Sequence, residues 1–576
     1  MAATNAVPNA ARSLTRVVPL VAPLVASLVA IAASFACGGP SNGSHAAGAP
    51  PGSGHDPGDA TTAGDGFEAR GGAEIPGLAV AAPRALHFTD VADATGLAAV
   101  RREVANFWDI HAEDYDGDGW ADIFISDHRN NHRLALNDRQ GDFVNYPLPA
   151  SDAQVWSMMA TDFNNDGRLD ISTNWDSASI KVYRNDGNRT FTPVAAGGSY
   201  ESQANGMAWG DWNADGYPDY MVSGFFGNRI YLGRSSGYSN VTAQVSAIPS
   251  GYSQASLYFA DLDDDRFPDI VIQPTNAKVG AGIFAPGVQH TTQILFNKGI
   301  AGAGAGFEPA VTGGLEGCPG PALALGDYDL DGDLDLFCAG SAGSGVPEPR
   351  KTFRVRLFRN QGNGSFTDVT AAAGLPMGDK PVNEYRVLYA QSAFADFDND
   401  GRLDVMWIEP EPGGIHLFQN MGGGVFRDAT AAAGLDAFRN DVPRFAIADF
   451  NRDGALDIAA MVGTQVPKVS LLRNDLRGAN WIDLALEGSK VKTAAGSKVH
   501  VYQAGHLGDP AYRIAYREVL LSYSHRAPLE QHIAVQPGAR YDARVQFWPE
   551  QTTVDVTNLT GGQRLRIEAS GSSSSF

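Results

Sequence analysis

Asp114-Tyr-Asp116-Gly-Asp118-Gly-Trp-Ala-Asp122 decides the reading of this chain, because the same nine-residue pattern returns six more times. The second and third copies are Asp162-Phe-Asn164-Asn-Asp166-Gly-Arg-Leu-Asp170 and Asp211-Trp-Asn213-Ala-Asp215-Gly-Tyr-Pro-Asp219. The fourth and fifth are Asp261-Leu-Asp263-Asp-Asp265-Arg-Phe-Pro-Asp269 and Asp327-Tyr-Asp329-Leu-Asp331-Gly-Asp-Leu-Asp335. Asp396-Phe-Asp398-Asn-Asp400-Gly-Arg-Leu-Asp404 and Asp449-Phe-Asn451-Arg-Asp453-Gly-Ala-Leu-Asp457 complete the set. First aspartates recur every 48 to 69 residues, a period that marks a repeated structural unit rather than a chance acidic run.

Oxygen ligands at positions 1, 3, 5 and 9, with a main-chain carbonyl near position 7, can wrap one hard cation. Ca²⁺ takes six to eight oxygens and tolerates irregular geometry, so up to seven Ca²⁺ are expected. Glycine at position 6 permits the left-handed turn that brings positions 5 and 9 back to the ion. The opening resembles an EF-hand loop, but that motif needs an acid at position 12. Here position 12 is Ile125, Thr173, Val222, Ile272, Cys338, Trp407 and Ala460. The following residues are β-branched and aromatic and favour strands, so these are metal loops inside β-hairpins. The plain alternative is seven Asp/Asn/Gly turns; repetition argues against it, because clustered carboxylates repel unless a cation sits among them. The fourth copy is the weakest, since Arg266 replaces the glycine and brings a cation to the loop.

Charge fits this reading. The 576-residue chain carries a formal net charge of −22, which seven divalent cations would largely offset. Such an acidic surface argues against nucleic acid as a partner, because phosphates need a basic one. Of three cysteines, Cys318 and Cys338 flank the fifth loop. In an oxidising compartment a disulfide there would be worth about 3 kcal/mol in the chain-entropy model; the other possibility is two buried thiols.

In chain order, residues 1–37 combine Arg12 and Arg16 with the apolar run 17–35, the pattern of an export signal. The ending Ser34-Phe-Ala-Cys37 resembles a bacterial lipobox, in which Cys37 would carry a lipid; plain secretion and a retained anchor are the rival readings. Residues 38–83 are rich in Gly, Pro, Ser and Ala and read as a disordered tether. Residues 84–475 hold the repeats. The clearest unit runs from Ala393 to Thr430 and contains four short strands, the make-up of one propeller blade. His87-Phe-Thr-Asp-Val91 matches a fourth strand yet precedes the first loop, while the last repeat stops at its third strand, Ser470-Leu-Leu-Arg-Asn474. The N-terminal strand is therefore expected to complete the last blade, giving an all-β, seven-bladed β-propeller. Long insertions at 274–292, 341–352 and 376–390 fall on the face away from the metal loops, the expected partner face. Residues 476–570 contain alternating strands without the aspartate pattern and read as a small C-terminal β-sandwich domain; 571–576 read as a disordered tail.

Taken together, the loops and their strands resemble the FG-GAP/VCBS repeats of integrin-type propellers. The C-terminal stretches Asn480-Trp-Ile-Asp-Leu484, Gly496-Ser-Lys-Val499, Arg517-Glu-Val519 and Val545-Gln-Phe-Trp-Pro549 are similar to the ASPIC/UnbV domain. That pairing resembles the cartilage acidic protein family and its bacterial relatives. It implies an extracellular, calcium-binding, adhesion-like protein and no established chemistry. One departure is Leu520-Leu-Ser-Tyr-Ser-His525, where a Gly/Ser-rich stretch is expected.

No catalytic residue is assigned. H-E-x-x-H, the P-loop and G-x-G-x-x-G opening a helix are absent. Trp108, His111, His128, Arg129 and His132 could bind a transition metal, but read more simply as turn residues, as do His500, His506, His525 and His532. Glu409 and Glu411 could form a carboxylate pair, although Pro410 and Pro412 suggest a solvated turn. Two readings stand. The first is an exported, lipid-anchored, monomeric calcium-binding propeller at the bacterial outer membrane or cell surface, holding a glycan or protein. The second is an extracellular polysaccharide lyase or hydrolase on the same scaffold.

Overall fold

The computed structural model describes residues 76 and 81–576, apart from 102–106, 128–131, 150–154, 176–179, 198–203, 225–226, 246–254, 275–291, 300–305, 310, 342–350, 379, 383–389, 410–412, 439–443, 464–467 and 523. The expected leader with Cys37, nearly all of the expected tether at 38–83, most of the three long insertions, His128, Arg129 and Glu411 lie outside the described residues.

Among those residues the chain is all-β, with one five-residue helix at Leu97–Arg101 and short 3-10 turns. Seven antiparallel sheets carry the seven aspartate loops. The first is built from Phe107–Glu113, Asp122–Asp127, Arg133–Asn137 and Phe143–Pro147, with the loop between its first two strands. The fourth has three strands, Ala255–Ala260, Asp269–Pro274 and Gln293–Leu295, and isolated bridges from Ile294 to Val311 and Asn297 to Phe307 stand where a fourth strand would lie. In the fifth, Lys380–Val382 adds to the long third strand Lys351–Asn360. The seventh sheet, Arg444–Ala448, Asp457–Val462 and Lys468–Asn474, receives its fourth strand from the N-terminal side: Phe88 pairs with Asn474 and Asp90 with Leu472.

Alternation along each strand leaves both sheet faces apolar, and each face is buried against a neighbouring sheet. Phe124, Met158 and Tyr183 join the first sheet to the second, and Met207, Trp209 and Val182 join the second to the third. Phe337, Trp407 and Phe418 lie between the fifth and sixth. Phe88, Phe397 and Phe445 share the core between the sixth and seventh. Ile110 and Ile123 of the first sheet pack with Ala446, Ala459 and Phe450 of the seventh, an arrangement of propeller blades. Cys318 and Cys338 are disulfide-bonded beside the fifth loop.

Residues 481–575 form two further four-stranded sheets around their own core, which includes Ile482, Val499, Val545 and Ile567. One of them is mixed, because Trp481–Glu487 runs parallel to Gln563–Glu568. This module does not stand apart: the described residues from 81 onward form one compact unit. The reason is the 519–530 segment. Trp209 N–H donates to Leu521 O at 3.0 Å and Ile447 N–H to Arg526 O at 2.8 Å. Ser524 Oγ lies 2.7 Å from Ser256 Oγ, and Leu529 N–H donates to Glu113 at 2.9 Å. These partners all sit on the first strands of the third, seventh, fourth and first sheets. The segment thus runs along the first strands of four sheets. Fully buried Asp109 lies 3.2 Å from Arg526 and 3.6 Å from Arg444, tying the segment to the first and seventh sheets.

The tail departs from expectation. Ser573–Ser575 pairs with Gln563–Glu568, and Phe576 lies under the guanidiniums of Arg564 and Arg566 at 4.5 and 5.2 Å. Serine offers little to bury, but an open sheet edge needs only backbone groups, and two arginines give the terminal ring a cation–π seat.

Phe88 is 4 % exposed and stands edge-on to Phe397 at 6.0 Å. Phe88→Ala is expected to cost about 3–5 kcal/mol in urea denaturation; a cost under about 1 kcal/mol would mean that this strand is not part of the core.

Candidate metal centres

Each loop leaves the first strand and returns at its ninth residue, which opens the second strand. That residue is Asp122, Asp170, Asp219, Asp269, Asp335, Asp404 or Asp457, and its carboxylate is held by two backbone N–H groups. For Asp122 the donors are Tyr115 at 3.0 Å and Asn137 at 2.8 Å. The same pair of positions donates in the other six loops. The first aspartate accepts the N–H of residue six, and residue five accepts that of residue seven, in every loop. Residue six has positive φ throughout, Arg266 included at 77°. Residue four does as well, with φ of 55–74° at Gly117, Asn165, Ala214, Asp264, Leu330, Asn399 and Arg452. The single glycine in the pattern concealed this second left-handed residue.

Carboxylate oxygens converge within 4.8 Å of one another in four loops: Asp114, Asp116 and Asp122; Asp261, Asp263 and Asp265; Asp327, Asp329, Asp331 and Asp335; Asp396, Asp398 and Asp404. Buried Oδ1 atoms of Asp261, Asp263, Asp327 and Asp398 have no hydrogen-bond partner. Buried acceptors without donors are costly, and an oxygen-only set of this kind fits a hard cation. In the second, third and seventh loops asparagine takes position 3, and Asn164, Asn213 and Asn451 each donate to the aspartate two residues on, at 2.8, 3.0 and 2.9 Å.

Cations attend the outer oxygens. Arg139 bonds Asp118 at 2.9 Å and Arg189 bonds Asp116 at 2.7 Å. Asp118, Asp269 and Asp400 stand outside the convergent groups; Asp400 is engaged by Arg402. At the fourth loop, the basic groups on the carboxylates are Lys298, on Asp263 and Asp265, and Lys498, 2.7 Å from Asp261 and 2.6 Å from Asp264. The positive charge expected from Arg266 thus comes from two lysines distant in sequence.

Burial, with neighbouring carboxylates, pushes these acids up: Asp114 to about 6, Asp211 and Asp449 to about 7, and Asp170 and Asp400 to about 8. Without a cation the loops hold protons that an unfolded chain would release.

A recurring asparagine was not assigned a role from sequence. Asn137, Asn185, Asn297, Asn360, Asn420 and Asn474 each give their N–H to the ninth aspartate of their own loop. Each also gives its side-chain N–H to the second-residue carbonyl of the preceding loop, at 2.8–2.9 Å. Asn137 makes this bond to Phe450, linking the first loop to the seventh. In the third sheet Gly233 stands at that register, and Tyr238 Oη donates to Phe163 O at 2.7 Å instead. The signal was present in the repeated third-strand endings Arg-Asn185, Phe-Asn297 and Gln-Asn420.

Among the described residues the histidines do not assemble. His111 meets Tyr115 at 3.2 Å, whereas His132 accepts Asp127 N–H at 3.0 Å between the rings of Phe124 and Tyr183. Burial lowers them to about 3 and about 4. His500 stacks on Tyr516, His506 on Tyr512, and burial lowers His525 to about 4. His532 pairs with Asp483 at 2.8 Å. Glu409 is not on a solvated turn: it is 3 % exposed and takes bonds from Lys380 at 2.6 Å and His416 at 2.9 Å.

The FG-GAP-like repeat family matches residues 114–173, 162–222, 211–272, 327–407 and 396–460. Each matched span runs from the first aspartate of one loop past the end of the next. Cartilage acidic protein 1 of Mus musculus is 26 % identical over 339 residues, 58 % of this chain and 41 % of that protein. The chain thus spans about two fifths of the curated relative's length. Among solved structures, an Agrocybe aegerita lectin that recognises non-reducing terminal N-acetylglucosamine is 16 % identical, with a TM-score of 0.35 over 65 % of this chain and 91 % of that one. A rhamnogalacturonan lyase of Bacillus licheniformis is 16 % identical, with a TM-score of 0.30 over 65 % and 72 %.

Two outcomes follow from the loop geometry. Folded-state carboxylate pKa values lie above their unfolded ones, so the metal-free fold binds more protons. Its stability should fall as pH rises from about 4 to 8, read as a declining melting midpoint in chelator. A saturating divalent cation should flatten or invert that trend, because the cation needs the ionised form; an unchanged trend would contradict it. Separately, Asn474→Ala strips the buried Phe397 carbonyl of its donor and should cost about 1–3 kcal/mol in urea denaturation.

Proposed function

The chain belongs to the FG-GAP-like repeat family, and from that premise we propose that it is an exported calcium-binding propeller, anchored by a lipid on Cys37, that holds a glycan or protein at the cell surface. In this reading the seven sheets close as a ring of seven blades, and Ca²⁺ occupies the aspartate loops. Oxygen-only ligation, several carboxylates per site and irregular loop backbone favour Ca²⁺ over the softer metals that seek histidine or thiolate.

One observation carries the choice of binding face. The metal-loop side is taken by the C-terminal module: Trp548 Nε1 donates to Asp211 O at 2.7 Å, and Lys498 reaches the fourth loop. The other ends of the blades remain for a partner. There Glu409, closing the second strand of the sixth sheet, is bound by His416 and Lys380, whose side chains are 28 % and 50 % exposed. His416 stacks on Trp407 at 5.1 Å. A partly exposed imidazole and ammonium, fixed by a buried carboxylate over an aromatic ring, suit hydroxyl and carboxylate groups of an acidic saccharide.

The test is an array of glycans and surface-protein extracts with the calcium-loaded chain, followed by turnover of any polymer retained. Binding weakened about tenfold or more by Lys380→Ala and His416→Ala, with the polymer left intact, is expected. Shortening of the polymer would replace the binding role with a lyase or hydrolase. Full binding by both variants would move the site elsewhere.

A further inference from the structure

The fourth residue of the metal loops is not a ligand in the 1-3-5-9 pattern, yet it touches the C-terminal module in three loops. In the second loop, Asn165 accepts Lys492 N–H at 2.8 Å and donates to Lys490 O. In the fourth, Asp264 meets Lys498 Nζ at 2.6 Å. In the fifth, Leu330 O accepts from Arg513 at 3.4 Å. Asn165, Asp264 and Leu330 have φ of 57°, 59° and 63°, a conformation that side-chain-bearing residues adopt reluctantly.

We propose that cation binding in the loops sets the fourth residues in their left-handed conformation and thereby seats the C-terminal module, with its 519–530 segment, on the ring. The inference rests on the calcium reading above. A cation draws residues 3 and 5 inward, and residue 4 between them is turned outward to the module. When the cation leaves, Asp329 and Asp331 of the fifth loop repel. In the second and fourth loops Asn164 bonds Asp166 and Lys298 holds Asp263 and Asp265, so there it is the cation's inward pull that is lost, and the left-handed residue relaxes. Asn165, Asp264 and Leu330 then lose their aim. Coupling is reciprocal, so a docked module must also raise cation affinity. Lys498 is buried, at 7 % side-chain exposure. It bonds the outer Oδ2 of Asp261 and leaves Oδ1 without a hydrogen-bond partner, so module and cation can share that aspartate.

Hydrogen exchange resolves the seat. The Trp209 and Ile447 amides donate to the 519–530 segment, whereas amides of Asp457–Val462 serve the ring itself. Full-length chain would be compared with calcium, with chelator, and as the Asn165→Ala/Asp264→Ala variant with calcium, bound calcium being counted in each sample. Exchange at Trp209 and Ile447 is expected to rise about tenfold or more in chelator, with Asp457–Val462 still protected. The variant should show the same rise while keeping its calcium count. Bound calcium with unchanged exchange overturns the coupling alone, as does a variant that behaves like the parent. Simultaneous loss of protection at all these amides also overturns it, because the ring then melts as one body. No bound calcium in the parent overturns the calcium reading and this inference together.

Discussion

Negative charge packed into tight turns is the constraint on which the rest of this structure depends. Every loop must return an aspartate to the start of the second strand while keeping two other oxygen ligands close by. Backbone N–H groups do much of the holding: the ninth aspartate takes two, the first takes the N–H of residue six, and the fifth takes that of residue seven. Those bonds fix the outer oxygens. Inner ones, such as Asp327 Oδ1 and Asp398 Oδ1, are left facing their own kind without a donor. A hard cation is the group that such a cradle fits.

The loops also organise their surroundings. The asparagine ending most third strands reads two loops at once, its own through its backbone and the preceding one through its side chain. Loop geometry is thereby passed from sheet to sheet, and Asn137 carries it from the seventh to the first. On the outer side of the loops the C-terminal module takes its footing, and its 519–530 segment reaches the first strands of four sheets. The same face cannot then serve a large partner, which directs attention to the far ends of the blades and the buried Glu409 with its two basic neighbours.

Much of this was legible in the sequence because it is periodic. Seven copies of D-x-[DN]-x-D disclosed the acidic loops between first and second strands, and the stray strand Phe88–Asp90 disclosed the completion of the last sheet, since it resembled fourth strands elsewhere. The ASPIC/UnbV-like residues marked the C-terminal module but gave no sign of where it sits. Contacts between parts distant in sequence left no local pattern: Lys498 beside Asp261 and Arg526 beside Asp109 are separated by hundreds of residues. The left-handed fourth residue was hidden for a different reason. Asn, Ala, Asp, Leu and Arg occupy it as well as Gly, so composition does not announce the conformation. The serine tail misled because sequence weighs side-chain burial, whereas the edge strand is held by backbone pairing and one terminal ring.

If divalent cations complete the aspartate loops, they also hold this fold. The most direct test is a thermal melt of residues 38–576 with excess Ca²⁺ and again after exhaustive chelation, alongside elemental analysis of the calcium retained. Ligands that bind only the folded state raise stability by mass action. A saturable rise of many degrees in the midpoint, with several calcium ions per chain, is expected. Equal midpoints with no retained calcium would contradict it, and the loops would then be acidic turns.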